Sequence, residues 1–302
     1  MEQAIFNHKN QYFLQSDLYF TFCGFSKTLP MHAFGPSSRN HFILHIVLDG
    51  KGVYYVKNQM FPLKAGDLFL IRPDELTFYQ ADKQNPWVYA WIGFGGKTSK
   101  QIINHSIFSN NQYVLSNQKA NNYAKIIKNC LNLTNETFEE EVLLNQNIYK
   151  ILSLLLQEKQ IKMNTSSKVS ELTRKTIDYV QQQLPQSASV QMIADELNVN
   201  RSHLSRTFSK DMGMNLKNWL LSLKINKASQ LLITTDKTIE QIAFDSGFAS
   251  LVAFSRAFKQ MNNENPMQYR KRSKNINRQD EKRTIEGIFD LLAHQEITTR
   301  AT

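Results

Sequence analysis

Cysteine is scarce in this sequence, with Cys23 and Cys130 the two examples among 302 residues. Two cysteines so far apart provide neither the paired spacing of a zinc site nor the several bridges of a disulfide-stabilised secreted domain. We therefore expect both thiols to be reduced and buried. Glycine and proline are also few, at 11 and 7 residues, which argues against long low-complexity segments.

Long apolar segments are missing too. No stretch approaches the roughly 20 apolar residues that cross a bilayer. Residues 1–10 are polar and lack the apolar centre of a signal peptide. These absences predict a cytoplasmic protein with no membrane partner, and 302 residues are enough for two domains.

Acidic residues are few in the part of the chain where basic residues concentrate. The formal net charge is +10. Residues 1–165 hold 16 Lys or Arg and 12 Asp or Glu, whereas residues 201–278 hold 14 and 5. This basic excess favours a polyanionic partner, although a solvated basic surface would have the same composition.

The first hundred residues have the pattern of β structure. Segments 42–48, 52–56 and 67–71 are short, rich in β-branched and aromatic residues, and bounded by turn signals such as Asp49-Gly50. Strands at this spacing predict a sandwich or barrel. The glycines between positions 93 and 96 are interpreted as a turn.

Helical periodicity begins near Asn117. Apolar residues at helical spacing in 123–131 and 142–155 predict a hairpin that packs on the barrel, on a second subunit, or on both. Residues 157–168 are polar and are predicted to form a linker, and short helices continue to about Tyr269. The predicted fold class is α+β, with a barrel, a helical hairpin and a C-terminal all-α domain.

Two segments of the C-terminal part resemble each other. Residues 193–208 and 242–258 share Ile-Ala, Ser-Arg and Phe in register once one residue is inserted into the second. The pattern is typical of helix-turn-helix units. Their predicted N-caps and left-handed turn residues are Ser189 with Asn198 in the first unit and Thr238 with Gly247 in the second.

The outward face of each second helix carries side chains suited to base edges and phosphates. One short helix pair would be weak evidence, but two in tandem within the basic region favour DNA binding. The predicted contact residues are Arg201, Ser202, His203, Ser205, Arg206, Ser250, Leu251, Val252, Ser255, Arg256 and Lys259.

Residues 239–270 carry Phe254-Ser-Arg-Ala-Phe258, Asn265-Pro266 and Tyr269, and resemble the C-terminal signature of arabinose-regulator-type (AraC/XylS) transcription factors. The resemblance covers about residues 173–272. It implies a homodimer that binds double-stranded DNA, and that contacts RNA polymerase if it is an activator. Residues 262–264 depart from the pattern, because the family usually has a glycine there.

The N-terminal half carries a second resemblance. Residues 63–73 are similar to the cupin-type barrel of sugar-responsive members of the family. Together with 32–45 and 78–94 they resemble regulators of oligosaccharide and α-galactoside use in Gram-positive bacteria, the multiple-sugar and raffinose operon type. The resemblance implies a small sugar effector, with an α-galactoside such as raffinose or melibiose as the candidate.

Sugars bind against aromatic faces and to polar side chains that replace water on their hydroxyl groups. The predicted effector pocket therefore combines aromatic, histidine and arginine side chains: His32, Phe34, Arg39, His41, His45, Tyr79, Tyr89 and Trp91. The aromatic members also fit an ordinary apolar core.

Two alternatives stay open. In the first, the regulator responds to a non-sugar effector or to none, and the barrel serves only dimerisation. In the second, the barrel is a cupin enzyme fused to a DNA-binding tail. A metal needs several converging ligands, and Thr77 and Phe78 stand where a ligand histidine is expected. We predict no catalytic residue, metal or cofactor.

The predicted organisation has four parts. They are a barrel with an N-terminal arm at 1–116, a dimerisation hairpin and linker at 117–168, a DNA-binding domain at 169–275, and a basic amphipathic tail at 276–302.

Overall fold

The computed structural model describes residues 3–8, 14, 16–116, 120–133, 136–158, 167–183 and 188–274. The predicted tail at 276–302 lies outside these residues. Strands dominate the N-terminal half: β1 (Gln3–His8), β2 (Tyr19–Lys27), β3 (Ala33–Ser37), β4 (Phe42–Asp49), β5 (Lys51–Val56), β6 (Gln59–Lys64), β7 (Asp67–Ile71), β8 (Thr77–Ala81), β9 (Val88–Gly95) and β10 (Val114–Ser116).

These strands form two sheets, in which neighbours run antiparallel. One sheet has the order β1-β2-β9-β4-β7-β10, and the other contains β6-β5-β8-β3. Side chains alternate between the faces of a strand. One set from each sheet therefore meets in a shared, aromatic-rich interior that includes Tyr54 of β5, Phe69 of β7 and Tyr89 of β9. The predicted barrel is confirmed.

Three helices cover the opposite face of the larger sheet. They are α1 (Lys97–His105), α2 (Ala120–Leu131) and α3 (Phe138–Gln157). Ile127 of α2 and Ile148 of α3 pack in one apolar cluster with Leu44 of β4. The hairpin thus lies on the barrel. Cys23 and Cys130 are in the same cluster, and both are buried and free, as predicted.

Gly93 and Gly95 do not form the turn that the sequence predicts, so that prediction is wrong for these two residues. Gly93 and Gly95 lie within β9, where side chains of β2 lie over them. A Cβ atom on Gly93 would come within 2.4 Å of the Thr21 hydroxyl, and one on Gly95 within 2.7 Å of the Tyr19 ring. Gly96, with φ 105°, does form a turn, into α1.

The end of the predicted linker is ordered against the barrel. Helix α3 ends at Gln157, and residues 167–168 form the short strand β11 (Ser167–Lys168). Strand β11 pairs with β6 at the edge of the smaller sheet, and the Val169 N–H donates to the Asn58 carbonyl at 3.2 Å. The chain therefore enters its C-terminal half from a position fixed on the barrel.

The C-terminal half is helical, as predicted. Its helices are α4 (Glu171–Gln183), α5 (Val190–Glu196), α6 (Arg201–Met212), α7 (Leu216–Thr234), α8 (Ile239–Asp245), α9 (Leu251–Asn262) and α10 (Pro266–Lys274). They form two apolar clusters, and α7 contributes to both: Trp219 belongs to the first and Ile225 to the second. Helix α7 therefore joins two small helical units.

The outer face of the smaller sheet packs against the first of these units. Ala33 of β3 and Phe78 of β8 share an apolar cluster with Trp219 and Leu220 of α7. The rings of Phe78 and Trp219 meet edge to face, with centroids 5.8 Å apart. Strands β3 and β8 thus contribute one face to the barrel interior and the other to the contact between the two halves.

None of the helices within the described ranges combines the length and the apolar composition that a transmembrane segment requires.

Candidate nucleic-acid interface and effector pocket

The first helix-turn-helix unit consists of α5 and α6. The Ser189 hydroxyl accepts a backbone N–H of α5 at 3.2 Å and caps that helix, as predicted. Asn198 occupies the turn with φ 51°, also as predicted. The Asn200 side chain accepts two backbone N–H groups at the start of α6. An N-cap fixes the direction in which α6 leaves the turn.

The second unit consists of α8 and α9 and has the same construction. Thr238 and Gln241 form a reciprocal capping box on α8, which confirms Thr238 as the cap. Gly247 reverses the chain with φ 81°. The Ser250 hydroxyl then accepts the Ala253 N–H at 3.2 Å and caps α9.

The two second helices bury equivalent positions. Residues 201–208 and 251–258 have the same sequence of exposed, half-buried and buried positions. Leu204 and Phe208 are fully buried in α6, and Phe254 and Phe258 are fully buried in α9. The repeat in the sequence is therefore a repeat in the structure, and each unit presents the opposite helix face to solvent.

The predicted DNA-contacting residues lie on these solvent-facing surfaces. The exposed ones are Arg201, Ser202, His203, Arg206, Ser250, Leu251, Val252, Arg256 and Lys259, and the half-buried ones are Ser205 and Ser255. Val252 is 70% exposed, unusually high for a large apolar side chain. Ser250 uses its oxygen as the helix cap, which leaves its O–H to donate elsewhere. The roles of these residues in binding DNA stay a prediction.

Two lysines of α7 hold the turn of the second unit, and no motif in the sequence indicates this role. The Lys224 ammonium donates to the Gly247 carbonyl at 2.7 Å, and the Lys227 ammonium donates to the Asp245 carbonyl. Partial burial lowers the pKa of both lysines. Because the acceptors are backbone carbonyls, only the fold reveals this contact between α7 and the second unit.

The effector residues predicted from the sequence gather at the barrel interior, with one exception. His45 of β4, Tyr89 and Trp91 of β9, and Tyr79 of β8 all point inward. The His45 ring centroid lies 5.1 Å from Tyr79, 5.6 Å from Tyr89 and 6.5 Å from Trp91. Phe34 stacks on Tyr79 at 5.5 Å. The alternation of inward side chains on neighbouring strands brings them together.

His45 is the buried polar group of this cluster, at 2% exposure. Burial, followed by the nearby Arg39 charge, lowers the pKa of His45 to about 3, so the imidazole is neutral at physiological pH. Its Nδ1 atom has no hydrogen-bond partner among the described residues. A buried polar atom without a partner costs about 1–3 kcal/mol.

Partly exposed side chains surround the rim of the cluster. The Arg39 guanidinium lies 4.6 Å from the centre of the Phe34 ring, and the His41 ring meets Phe22 edge to face at 5.2 Å. Phe22 was missed from the sequence, because a strand irregularity between Phe20 and Phe22 changes which residues point inward.

His32 is the exception. It lies before β3 and lines a cavity between the barrel and the helical half. Among the described residues, no group of three or more His, Cys, Asp or Glu is arranged to hold a metal ion.

Comparison with known families matches both halves of the chain. A family model described as an AraC-like ligand binding domain matches residues 19–162, and one described as a helix-turn-helix domain matches residues 193–272. The first range contains the barrel strands from β2 to β10 and the hairpin. The second contains both helix-turn-helix units, except for the cap and the first three residues of α5.

Relatives of similar length include three operon regulators. The chain is 32% identical to the Msm operon regulatory protein of Streptococcus mutans, over 81% of this chain and 89% of that protein. It is 28% identical to the raffinose operon transcriptional regulatory protein RafR of Pediococcus pentosaceus, over 83% and 92%. It is 29% identical to the lactose operon transcription activator of Staphylococcus xylosus, over 78% and 86%. These relatives are regulators and not enzymes, and the chain belongs to the AraC family of DNA-binding transcription regulators.

Proposed function

We propose that this regulator controls a carbohydrate-use operon by binding a sugar, of the α-galactoside class, at the aromatic rim of its barrel. The observation that carries the proposal is the buried, neutral His45. Its unpartnered Nδ1 lies within a cluster of aromatic rings. A sugar hydroxyl is a suitable partner for that atom, and an aromatic ring is a suitable support for the C–H face of a pyranose.

The rim supplies the remaining chemistry of a sugar site. Trp91 and Phe34 are partly exposed, so each has part of its ring at the surface. Arg39 supplies a planar set of N–H donors beside Phe34. Burial lowers the pKa of Arg39.

The printed functions of the relatives support the choice of ligand and the sign of regulation. One of them serves a raffinose operon, whose sugar is an α-galactoside. Another serves a lactose operon, whose sugar is a β-galactoside, and is called an activator. We therefore assign this chain a sugar effector and an activating role, in which the DNA-bound protein contacts RNA polymerase.

The working form in this proposal is a homodimer. Val142, Tyr149 and Leu156 are exposed and recur every seven residues along α3. A seven-residue apolar repeat is the pattern by which one helix pairs with another. A second copy of α3 is the proposed partner.

Each DNA-binding half would insert α6 and α9 into successive major grooves, about one helical turn apart. The second unit carries Leu251 and Val252 where the first carries Arg201 and Ser202. The proposed roles differ accordingly. Helix α6 makes polar base contacts, and α9 makes apolar contacts with thymine methyl groups or holds the backbone.

The test is a thermal-shift titration of the full chain with raffinose, melibiose, sucrose and glucose. A sugar at a hundredfold excess over its Kd should add about 2.7 kcal/mol of stability. We expect raffinose and melibiose to raise Tm, and we expect Trp91→Ala to abolish the rise. The matched control is Trp91→Phe, which keeps an aromatic face and should retain part of the response.

Both variants should bind DNA like the parent protein. No response to any of the four sugars would contradict the sugar assignment and favour a barrel that serves only dimerisation. A full rise in Tm with Trp91→Ala would mean that the Trp91 side chain is not part of the sugar site.

A further inference from the structure

A groove lies between the two helix-turn-helix units, along helix α7. Its volume is about 340 Å³. The first unit contributes Ser189 at the cap of α5 and Arg201 at the start of α6, and the second contributes Phe248 in the turn before α9. Helix α7 borders the groove with four residues that share one helix face: Lys217, Leu220, Leu221 and Lys224. Both units and the helix that joins them thus surround this interunit groove.

The interunit groove is positively charged. None of its ten described lining residues is Asp or Glu, whereas three are Arg or Lys. Arg201 and Lys217 are exposed, and neither forms a salt bridge with a described carboxylate. The Lys224 ammonium donates one N–H to the Gly247 carbonyl, which leaves two for another acceptor. A groove with this excess of cations is suited to a polyanion.

The position of the groove indicates which part of a polyanion it meets. In a helix-turn-helix unit, the N-terminal residues of the second helix contact base edges in a major groove. The interunit groove runs from the start of α6 to the turn before α9. In the arrangement proposed above, it therefore faces the DNA segment between two successive major grooves. That segment presents a minor groove and the sugar-phosphate backbones that border it.

We propose that the interunit groove holds the sugar-phosphate backbone that passes between the two major grooves. Lys217 and Lys224 bind its phosphates, and the partly exposed Leu221 and Phe248 contact the deoxyribose carbons. The proposal rests on the proposed insertion of α6 and α9 into successive major grooves, and it gives α7 a direct part in binding DNA. Backbone contacts carry no sequence information, so Lys217 contributes equally on every DNA sequence.

The first test measures how DNA binding by the full chain depends on salt. The probe is a mixed-sequence duplex of about 30 base pairs, which spans two major grooves, and fluorescence anisotropy gives the binding constant. Each neutralised phosphate adds about 0.9 to the slope of log K against log salt concentration. Lys217→Gln should therefore reduce that slope by about 0.9 and weaken binding about fivefold at about 0.15 M salt. Because Lys217 is exposed, the substitution removes a charge without disturbing the core.

Lys175→Gln is the matched control, since it removes the same charge from the same half of the chain. Lys175 is exposed and pairs with Glu171 on α4, a helix that also contacts β3 of the barrel. This variant should keep the slope and the affinity of the parent protein. An unchanged slope for Lys217→Gln, or an equal reduction for Lys175→Gln, overturns the proposal.

Neutral methylphosphonate groups in the DNA then locate the contacted phosphates with the unmodified protein. The probe is the duplex that the full chain selects most tightly from a random pool, with one phosphate replaced at a time. Replacements between the two major grooves should weaken the parent protein about fivefold. The same replacements should weaken Lys217→Gln much less, because both changes remove one contact. Equal losses for the two proteins, or no sensitive phosphate between the grooves, contradict the assignment.

Protection of guanine N7 from methylation tests the underlying arrangement by itself. We expect protection in two major grooves about one helical turn apart, as the insertion of α6 and α9 requires. If this protection is present and Lys217→Gln keeps the slope of the parent protein, the backbone site alone is wrong. If protection is confined to one groove, the proposed arrangement is wrong and the backbone site is overturned with it.

Discussion

Replacing Phe78 by alanine should separate the melting of the barrel from that of the helical half. Phe78 is fully buried on the outer face of β8, where its ring meets Trp219 of α7. Its neighbour in sequence, Tyr79, belongs to the barrel interior. The substitution therefore empties the contact between the two halves and leaves the packing inside the barrel in place.

The expected size of the effect follows from the burial of this ring. Phe→Ala in a buried site costs about 3–5 kcal/mol, which includes the cavity left behind. An aromatic pair contributes a further specific coupling of about 0.5–1.5 kcal/mol. A double-mutant cycle of Phe78→Ala and Trp219→Ala should return a coupling energy in that smaller range, because the two rings touch directly.

Differential scanning calorimetry is the suitable assay. The parent protein should unfold in one transition, because its two halves share an apolar cluster, and Phe78→Ala should unfold in two. The matched control is Phe94→Ala, which removes an equally buried ring from β9 beneath the helical hairpin. The control should lower the stability of the barrel without splitting the transition. A single transition for Phe78→Ala, or a split for Phe94→Ala as well, would refute the assignment of Phe78 to the contact between the halves.

Three further predictions follow from single residues. Arg206→Ala should weaken binding to the operator by about 1–3 kcal/mol in a mobility-shift assay, and an equal loss on random DNA would identify a phosphate contact instead. The folded pKa of His45 is about 3, against roughly 6.5 in the unfolded chain. Its contribution to stability is therefore complete above about pH 6.5 and is lost as pH falls towards 3. Urea titrations should show about 2 kcal/mol less stability at pH 5 than at pH 7, and His45→Gln should remove that difference. If His45→Gln still loses stability between pH 7 and pH 5, other titratable groups cause that loss. Gly247→Ala should destabilise the second unit by about 1–2 kcal/mol, because φ at this position is 81°. Chemical denaturation would measure the loss, and an unchanged midpoint would mean that the turn relaxes.

The helix-turn-helix units could be predicted from the sequence in detail because their signals are local. Ser189 and Thr238 are N-caps, and Asn198 and Gly247 have positive φ, as their residue types indicated. The departure from the family glycine at residues 262–264 also has a local explanation. Asn263 ends α9 with φ 58°, just as Gly213 ends α6 with φ 67°. Asparagine is the residue that most readily replaces glycine in that conformation.

The features that could not be predicted depend on contacts between distant segments. Gly93 and Gly95 resembled turn residues because the sequence does not show that side chains of β2 cross over them. Helix α1 was missed because few of its residues are buried, chiefly Ser99 and Ile103. His32 was grouped with the other histidines by proximity along the chain. Its position before β3 instead directs it to the cavity between the two halves.

The alternation of side chains along β3 and β8 separates two properties that selection could change independently. Phe34 and Tyr79 face the proposed sugar, whereas Ala33 and Phe78 face the helical half. Substitutions at inward positions can alter which sugar is accepted while the outward neighbours still hold the helices. Deleting one residue from either strand would exchange the two sets of side chains at once. Diversification of effectors in such a scaffold should therefore proceed by substitution at alternate positions, and an engineered biosensor library would best keep the lengths of these strands fixed and vary only the inward positions.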